Sequence, residues 1–167
     1  MGKCWSSDLP YRVLRESVVG SLIASDHEFD QFYQICRTEM HTISSSLSIF
    51  PTQAFYVVVA GEVVVNLSDS DSKPIAVNVY QPGDIIFFFR SDSISHGALV
   101  CDKLKLTLQF RSKDSLSLAT VIGADFQAVD KFLSEHTNLT ALQSFCSLRW
   151  NDFVQCPIFE SMKMEQV

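Results

Sequence analysis

No apolar run in the chain approaches the roughly 18 residues that a membrane-crossing helix requires, so a transmembrane segment is not expected. A basic excess is also missing: 13 Lys and Arg stand against 19 Asp and Glu, for a formal net charge of -6, which argues against nucleic acid as a partner. The five cysteines, Cys4, Cys36, Cys101, Cys146 and Cys156, form no CxxC pair, which excludes a zinc knuckle or thioredoxin-type redox motif. Odd in number and widely spaced, they read as reduced cytosolic thiols, several of them small core hydrophobes. No serine lies in a GxSxG context, so hydrolase chemistry has no foothold. Asp69 and Asp71 begin like a calcium loop, but the glycine and closing glutamate that such a loop needs do not follow. The start, MGKCWSSDLP, carries Lys3 without the apolar core of a signal peptide, and the expected placement is cytoplasmic. The tripeptides Asn66-Leu67-Ser68 and Asn138-Leu139-Thr140 are then accidental matches to the glycosylation pattern. Gly2 followed by Ser6 fits the loose myristoylation pattern, and Cys4 is a candidate for palmitoylation.

What is present is a globular composition. At 167 residues with 47% hydrophobic and 19% charged side chains, the chain is most simply one domain with a real core. Residues 8–49 open with helical spacing: Val13, Leu14, Val18 and Leu22 form one stripe, and Phe29, Phe32, Tyr33, Cys36 and Met40 form another behind a Ser25-Asp26 cap with Glu28 close by. Two short helices are expected there. From Thr42 the chain becomes rich in β-branched and aromatic residues, through Ile43, Leu47, Ile49 and Phe55–Val59. Ala60-Gly61-Glu62 predicts a hairpin into Val63–Val65, with Gly61 free to take a positive φ.

The polar run Ser68–Lys73 predicts a surface loop, Ile75–Tyr80 a strand, and Pro82-Gly83-Asp84 a turn into Ile85–Phe89. The triplet Phe87-Phe88-Phe89 cannot face one side of a strand, and core packing of Phe87 and Phe89 is the simplest account. Residues 91–97 interrupt the sheet with polar side chains. Leu104, Leu106, Leu108 and Phe110 alternate against Lys105, Thr107 and Gln109, which turns one face inward, and Leu116–Ile122 is the last strand candidate. After Gly123 the helical period returns, first behind Asp125 with Phe126, Val129, Phe132 and Leu133, then behind Thr137-Asn138 with Leu139, Leu142, Phe145, Cys146 and Leu148. The fold class expected is α+β: an antiparallel jelly roll or β-roll of about eight strands with two N-terminal and two C-terminal helices.

This order, with these turns, resembles the cyclic nucleotide-binding domain. Phe55–Val65 resembles the family's strand, Gly-Glu, strand unit, and Pro82-Gly83-Asp84 its Pro-Gly-Asp turn; Gly61, Glu62, Gly83 and Asp84 are then structural turn residues. Lys113–Leu118 followed by Asp125-Phe126 and a helix to Glu135-His136 is similar to the family's last strands and B helix. The tail, Phe153–Met162 with Pro157-Ile158-Phe159, resembles the segment that opens such a domain. The implied division is a terminus over 1–9, a cyclic-nucleotide-binding-like domain over 10–150, and an extension over 151–167 resembling the start of a second.

In the family a segment after the turn holds the ligand. It begins Phe-Gly-Glu, whose carboxylate takes the ribose hydroxyl, and its arginine pairs with the cyclic phosphate. Placed by the turn, Phe-Gly-Glu falls on Ile86-Phe87-Phe88, and the arginine position falls near His96 in Ser95-His96-Gly97-Ala98. A neutral imidazole offers no permanent cation and no fork of donors. Two charge-assisted pairs are missing, each worth on the order of 3 kcal/mol, and tight binding of cAMP or cGMP is not expected unless Arg90 or Lys103 substitutes. The candidate ligand residues are Phe87, Phe88, Arg90, Ser95, His96, Gly97 and Ala98. The candidate contact between C-terminal helices and barrel is Phe126, Phe132, Leu133, Leu142 and Phe145.

The resemblance implies a non-enzymatic regulatory or scaffolding module with weak or lost cAMP or cGMP binding, no cofactor, and a protein partner or neighbouring domain met through the C-terminal helices. The alternative is a cupin-like jelly-roll enzyme with a metal site near His96. Against it, the first cupin motif would need two histidines and a glutamate before the hairpin, where only His41 and Gln53-Ala54 stand.

Overall fold

The computed structural model describes residues 8–42, 46–48, 53–69, 71, 73–87, 104–111 and 118–146. Three short helices lead: α1 (Leu9–Glu16), α2 (Val18–Ser21) and α3 (Asp26–Ile35). Eight strands follow, β1 (Arg37–His41), β2 (Ser46–Ser48), β3 (Gln53–Ala60), β4 (Glu62–Asp69), β5 (Pro74–Tyr80), β6 (Ile85–Phe87), β7 (Leu104–Arg111) and β8 (Ala119–Asp125). Two helices close the described chain, α4 (Phe126–Glu135) and α5 (Thr140–Cys146). Among the described residues no helix is long and apolar enough to cross a membrane.

The N-terminal stripe is broken where a single helix was expected. Ser17 takes an extended ψ of 167°, its hydroxyl donates to the Leu14 carbonyl at 2.6 Å and accepts from the Gly20 amide at 3.4 Å. That break starts α2 afresh, so Leu14 and Val19 are buried while Val18 is left 52% exposed. Arg15 ties the pieces together: its guanidinium donates to the Gly20 and Ile23 carbonyls at 2.9 and 2.6 Å and to Asp26 at 2.8 Å, and lies 4.7 Å from the Phe29 ring centroid. The Ser25 cap of α3 forms as the sequence suggests, its hydroxyl accepting from the Glu28 amide at 3.4 Å. Phe29 and Phe32 then enter the core fully, each contributing about 1.5–3 kcal/mol of burial. Cys36, at the end of α3, has its thiol pushed up to about 12 by burial, consistent with an inert core thiol.

The strands begin earlier than their composition indicated. Arg37–His41 pairs antiparallel with β8, Arg37 opposite Gly123 and His41 opposite Ala119. Met40 therefore stands on a strand, 69% exposed, rather than on the α3 stripe. Two four-stranded antiparallel sheets result, ordered β1-β8-β3-β6 and β2-β7-β4-β5. β3 and β4 are not a hairpin: each belongs to a different sheet, and the chain turns the corner between them at Gly61, φ 80°. A side chain there would press within 2.7 Å of the Arg111 carbonyl, so the corner needs glycine for space as well as for its dihedral. The hairpin in this region is instead β4–β5, with β4 running on to Asp69 into the expected loop and pairing Ser68 with Pro74.

The last strand is displaced from its expected Leu116–Ile122 to Ala119–Asp125. Gly123 does not end it, because this glycine lies inside the pairing, opposite both Arg37 and Tyr56. β7 alternates as expected at its described side chains, Leu108 and Phe110 buried. Asp125 caps α4, its carboxylate accepting from the Ala128 amide at 2.7 Å. The sequence-derived β-roll with flanking helices stands, with three described helices rather than two at the N-terminal side.

The β1-β8-β3-β6 sheet is covered on both faces. Phe55, Val57, Val59, Ile122 and Ala124 meet Leu14, Val19, Phe29, Phe32, Val129, Phe132 and Leu142 from the helices. Tyr56, Val58, Ile86, Ala119 and Val121 face Val63, Leu108 and Phe110 of the second sheet. A Cβ at Gly123 would collide with the Phe55 carbonyl and come within 2.7 Å of the Tyr56 ring. Gly123→Ala is therefore expected to cost about 2–3 kcal/mol in urea unfolding, and a loss under about 1 kcal/mol would contradict this packing.

Candidate ligand-binding site

The two turns of the roll meet at one end of the β1-β8-β3-β6 sheet. The Gln81-Pro82-Gly83-Asp84 turn carries Gly83 at φ 94°, and its Asp84 carboxylate accepts from the Gln81 amide at 2.8 Å. Backbone bonds seat the turn on β3: the Gly83 amide donates to the Val58 carbonyl at 2.8 Å and the Val58 amide to the Asp84 carbonyl at 3.0 Å. Gln81 then reaches the other turn, its side-chain amide donating to Glu62 at 2.9 Å. Glu62 and Asp84 are thus turn ties, with carboxylates engaged in holding the corner rather than aimed into the roll.

From this turn β6 departs, Ile86 opposite Tyr56 and Phe87 opposite Phe55. Ile86 is buried in the roll interior. Phe87 is placed by its backbone pairing, while Phe88, Arg90, Ser95, His96, Gly97 and Ala98 lie outside the described residues, as do Lys103, Phe89 and the 151–167 extension. An open depression of about 400 Å³ adjoins the turn on the outside of the roll, lined by Val18, Asn78, Val79, Tyr80, Gly83, Asp84 and Ile85.

A polar group inside the roll escaped the sequence reading. Glu39 and His41 alternate on β1 toward the second sheet, and the Glu39 carboxylate receives the Tyr56 hydroxyl at 3.1 Å and faces His41 Nε2 at 3.0 Å. The His41 ring stacks on Phe110 of β7, centroids 4.0 Å apart, so it joins one sheet to the other. Tyr56 reaches Glu39 from β3 across β8, where Gly123 offers no side chain to obstruct it. The signal was a glycine inside an apolar strand combined with alternating polar residues at 37–41, which a helical assignment hid. Burial, then the charge and hydrogen bond of Glu39, raise the Tyr56 phenol above its ordinary value.

The five helix positions come together. Phe132 and Leu142 are buried in the core between helices and sheet, and Leu133 and Phe145 pack against it. Phe126, the first residue of α4, packs against both this core and the roll interior. Among the described residues no group of three or more His, Cys, Asp or Glu side chains is placed to hold a metal.

No family model matches the sequence, and no curated protein matches it. Solved structures do. A putative cyclic nucleotide binding protein from Ruegeria pomeroyi superposes with a TM-score of 0.59 at 10% identity, over 97% of this chain and 64% of that one. The sensor domain of the transcriptional regulator DNR from Pseudomonas aeruginosa gives 0.56 at 12% identity, over 93% and 91%. The regulatory subunit of a cAMP-independent protein kinase A from Trypanosoma cruzi, bound to guanosine, gives 0.51 at 11%, over 92% of this chain and 47% of that one. The fold is that of cyclic nucleotide-binding domains, and these similarities lend no support to a cupin enzyme.

The Tyr56 bond can be tested by Tyr56→Phe, which should cost about 1.5–3 kcal/mol at neutral pH, the range of a hydrogen bond to a charged group. A phenol raised in the folded state contributes stability that is complete below the unfolded value of about 10 and is lost as pH rises beyond it. Wild-type stability should accordingly fall more steeply above pH 10 than that of Tyr56→Phe; parallel curves would contradict the assignment.

Proposed function

We propose that the chain is a non-enzymatic regulatory or scaffolding module of cyclic-nucleotide-binding type, acting in the cytoplasm, whose binding of cAMP and cGMP is weak or lost and whose C-terminal helices meet a partner or a neighbouring domain. The observation that carries the reading is Phe126, which touches the roll interior and the helical core at once. Whatever fills or vacates the roll is felt at the first turn of α4, and a short connection, His136–Leu139, leads from α4 to α5. Regulatory proteins among the structural neighbours support this use of the fold.

The loss of tight cyclic-nucleotide binding is argued from residue types. At Ile86-Phe87-Phe88, where the family has Phe-Gly-Glu, there is no carboxylate for a ribose hydroxyl, and no arginine lies at the position of His96. Arg90 and Lys103 are the cations nearest to His96 in sequence, and neither lies at that position. The guanosine-bound neighbour directs attention to unphosphorylated nucleosides, which need no phosphate clamp. The Phe153–Met162 segment is read as the opening of a second unit of the same type.

Calorimetry and thermal unfolding with cAMP, cGMP and guanosine test the reading. A ligand at a hundredfold excess over its dissociation constant stabilises by about 2.7 kcal/mol. Neither cyclic nucleotide at about 100 μM should produce such a shift, whereas micromolar affinity for either would overturn the claim of a weakened site.

A further inference from the structure

β5 lies at the edge of its sheet. In the order β2-β7-β4-β5 it pairs, among the described strands, with β4 alone, from Tyr80 opposite Val63 to Pro74 opposite Ser68. Edge strands are ordinarily guarded against a second chain by short length, by a charge or by a bulge in the exposed stretch. Pro74–Tyr80 runs for seven residues and carries no charged side chain, in a chain whose net charge is -6. Its proline and its one irregularity of register, between Ala76 and Pro74, are confined to its start.

Beyond that start, Val77, Asn78 and Val79 are exposed in succession. Val63, opposite Tyr80, belongs to the roll interior, so Val64, Val77 and Val79 share the outer face of the sheet. Val64 is buried there, while Val77 and Val79 are left 55% and 51% exposed. The depression beside the turn is lined by consecutive residues from both faces of β5, Asn78 and Tyr80 from the inner and Val79 from the outer, together with Val18 and the segment from Gly83 to Ile85. It therefore opens along the outward edge of β5, at the end where the strand runs into the turn.

We propose that this edge pairs with the same edge of a second copy, antiparallel about a two-fold axis at Asn78, joining the two β2-β7-β4-β5 sheets edge to edge. A two-fold interface must be complementary to itself, and this register is. Val77 stands opposite the partner's Val79, Val79 opposite the partner's Val77, and the two Asn78 amides, each both donor and acceptor, meet at the axis. A slip of one residue would set Val77 against the partner's Asn78 and lose both valine pairs. The same register carries the start of the partner's strand along the depression and brings the partner's Lys73 level with Gly83, beside the exposed Asp84. Symmetry repeats that contact, so two copies of an acidic chain meet with opposite charges at both ends of the strand pair and no charge between them. The pairing goes beyond the regulatory reading and does not depend on it, since β5 presents this edge whether or not the roll holds a ligand.

One strand pair is a small interface, so the association is weak, with a dissociation constant on the order of 100 μM. Sedimentation equilibrium of the full chain from about 5 μM to about 1 mM should pass from monomer to predominantly dimer. Val77→Lys and Val79→Glu, both at exposed positions, should each weaken association about tenfold; combined in one chain they set opposite charges across both pairs of this register and should restore most of the loss. Urea unfolding at about 5 μM, where the chain is monomeric, should give the variants the wild-type transition, which separates lost pairing from lost fold. In the wild type, hydrogen exchange of the amides of residues 76–80 should slow between the two concentrations, while exchange in β3 and β8 stays unchanged. A chain that remains monomeric at about 1 mM overturns the proposal, as does a dimer that neither substitution weakens, a double variant no tighter than the single ones, or protection that rises elsewhere and not in β5.

Discussion

The structure depends on one strand having no free face. β3 sends Phe55, Val57 and Val59 to the helices and Tyr56 and Val58 to the opposing sheet, and all five are almost wholly buried. A strand in that position can pair only with neighbours whose side chains complement both faces at once. β8 does so with Ile122 and Ala124 on one side and Ala119 and Val121 on the other, and with Gly123 where the Tyr56 ring must pass. The corner at Gly61 follows from the same demand, because β4 must leave for the second sheet to cover Tyr56 and Val58.

That shared strand also makes one body of the roll and its helices. The interior of the roll and the helical core touch the same backbone from opposite sides, and Phe126 touches both directly. Change on either side is carried through a packed sheet that has little room to deform. Polar contacts add ties to this arrangement: Gln81 to Glu62 at the turn end, Tyr56 to Glu39 inside the roll along β1, and His136 to Gln31 and Asn138 to Glu28 between α3 and the α4–α5 connection.

Much of this was legible because local signals agreed with tertiary ones. The Ser25 and Asp125 caps, the Gly61 dihedral, the Pro82-Gly83-Asp84 turn and the Leu108–Phe110 alternation all correspond to physical demands that act within a few residues. Most of what was misread depended on distant partners. Whether Ala60-Gly61-Glu62 is a hairpin or a corner is decided by which sheet covers Tyr56, and no residue at the turn records that. Arg37–His41 carried no strong strand composition, and pairing with β8 made it a strand; with it went Glu39 and His41, whose partners Tyr56 and Phe110 lie far along the chain. Ser17 ended α1 through a bond to its own backbone, a competition that the apolar stripe concealed. Of the candidate ligand residues, only Phe87 lies within the described strands, by its backbone pairing.

The central claim is that this cyclic-nucleotide-binding fold has kept its coupling of roll to helices while losing the chemistry that grips a cyclic phosphate. Amide chemical shifts of the isotope-labelled full chain, recorded with and without about 1 mM cAMP, test it most directly, since a ligand with a dissociation constant far below that concentration would saturate the protein. The account predicts no saturating change across β3, β8, α4 and α5. Saturating shifts that run from the roll interior through Phe126 into α4 would contradict it.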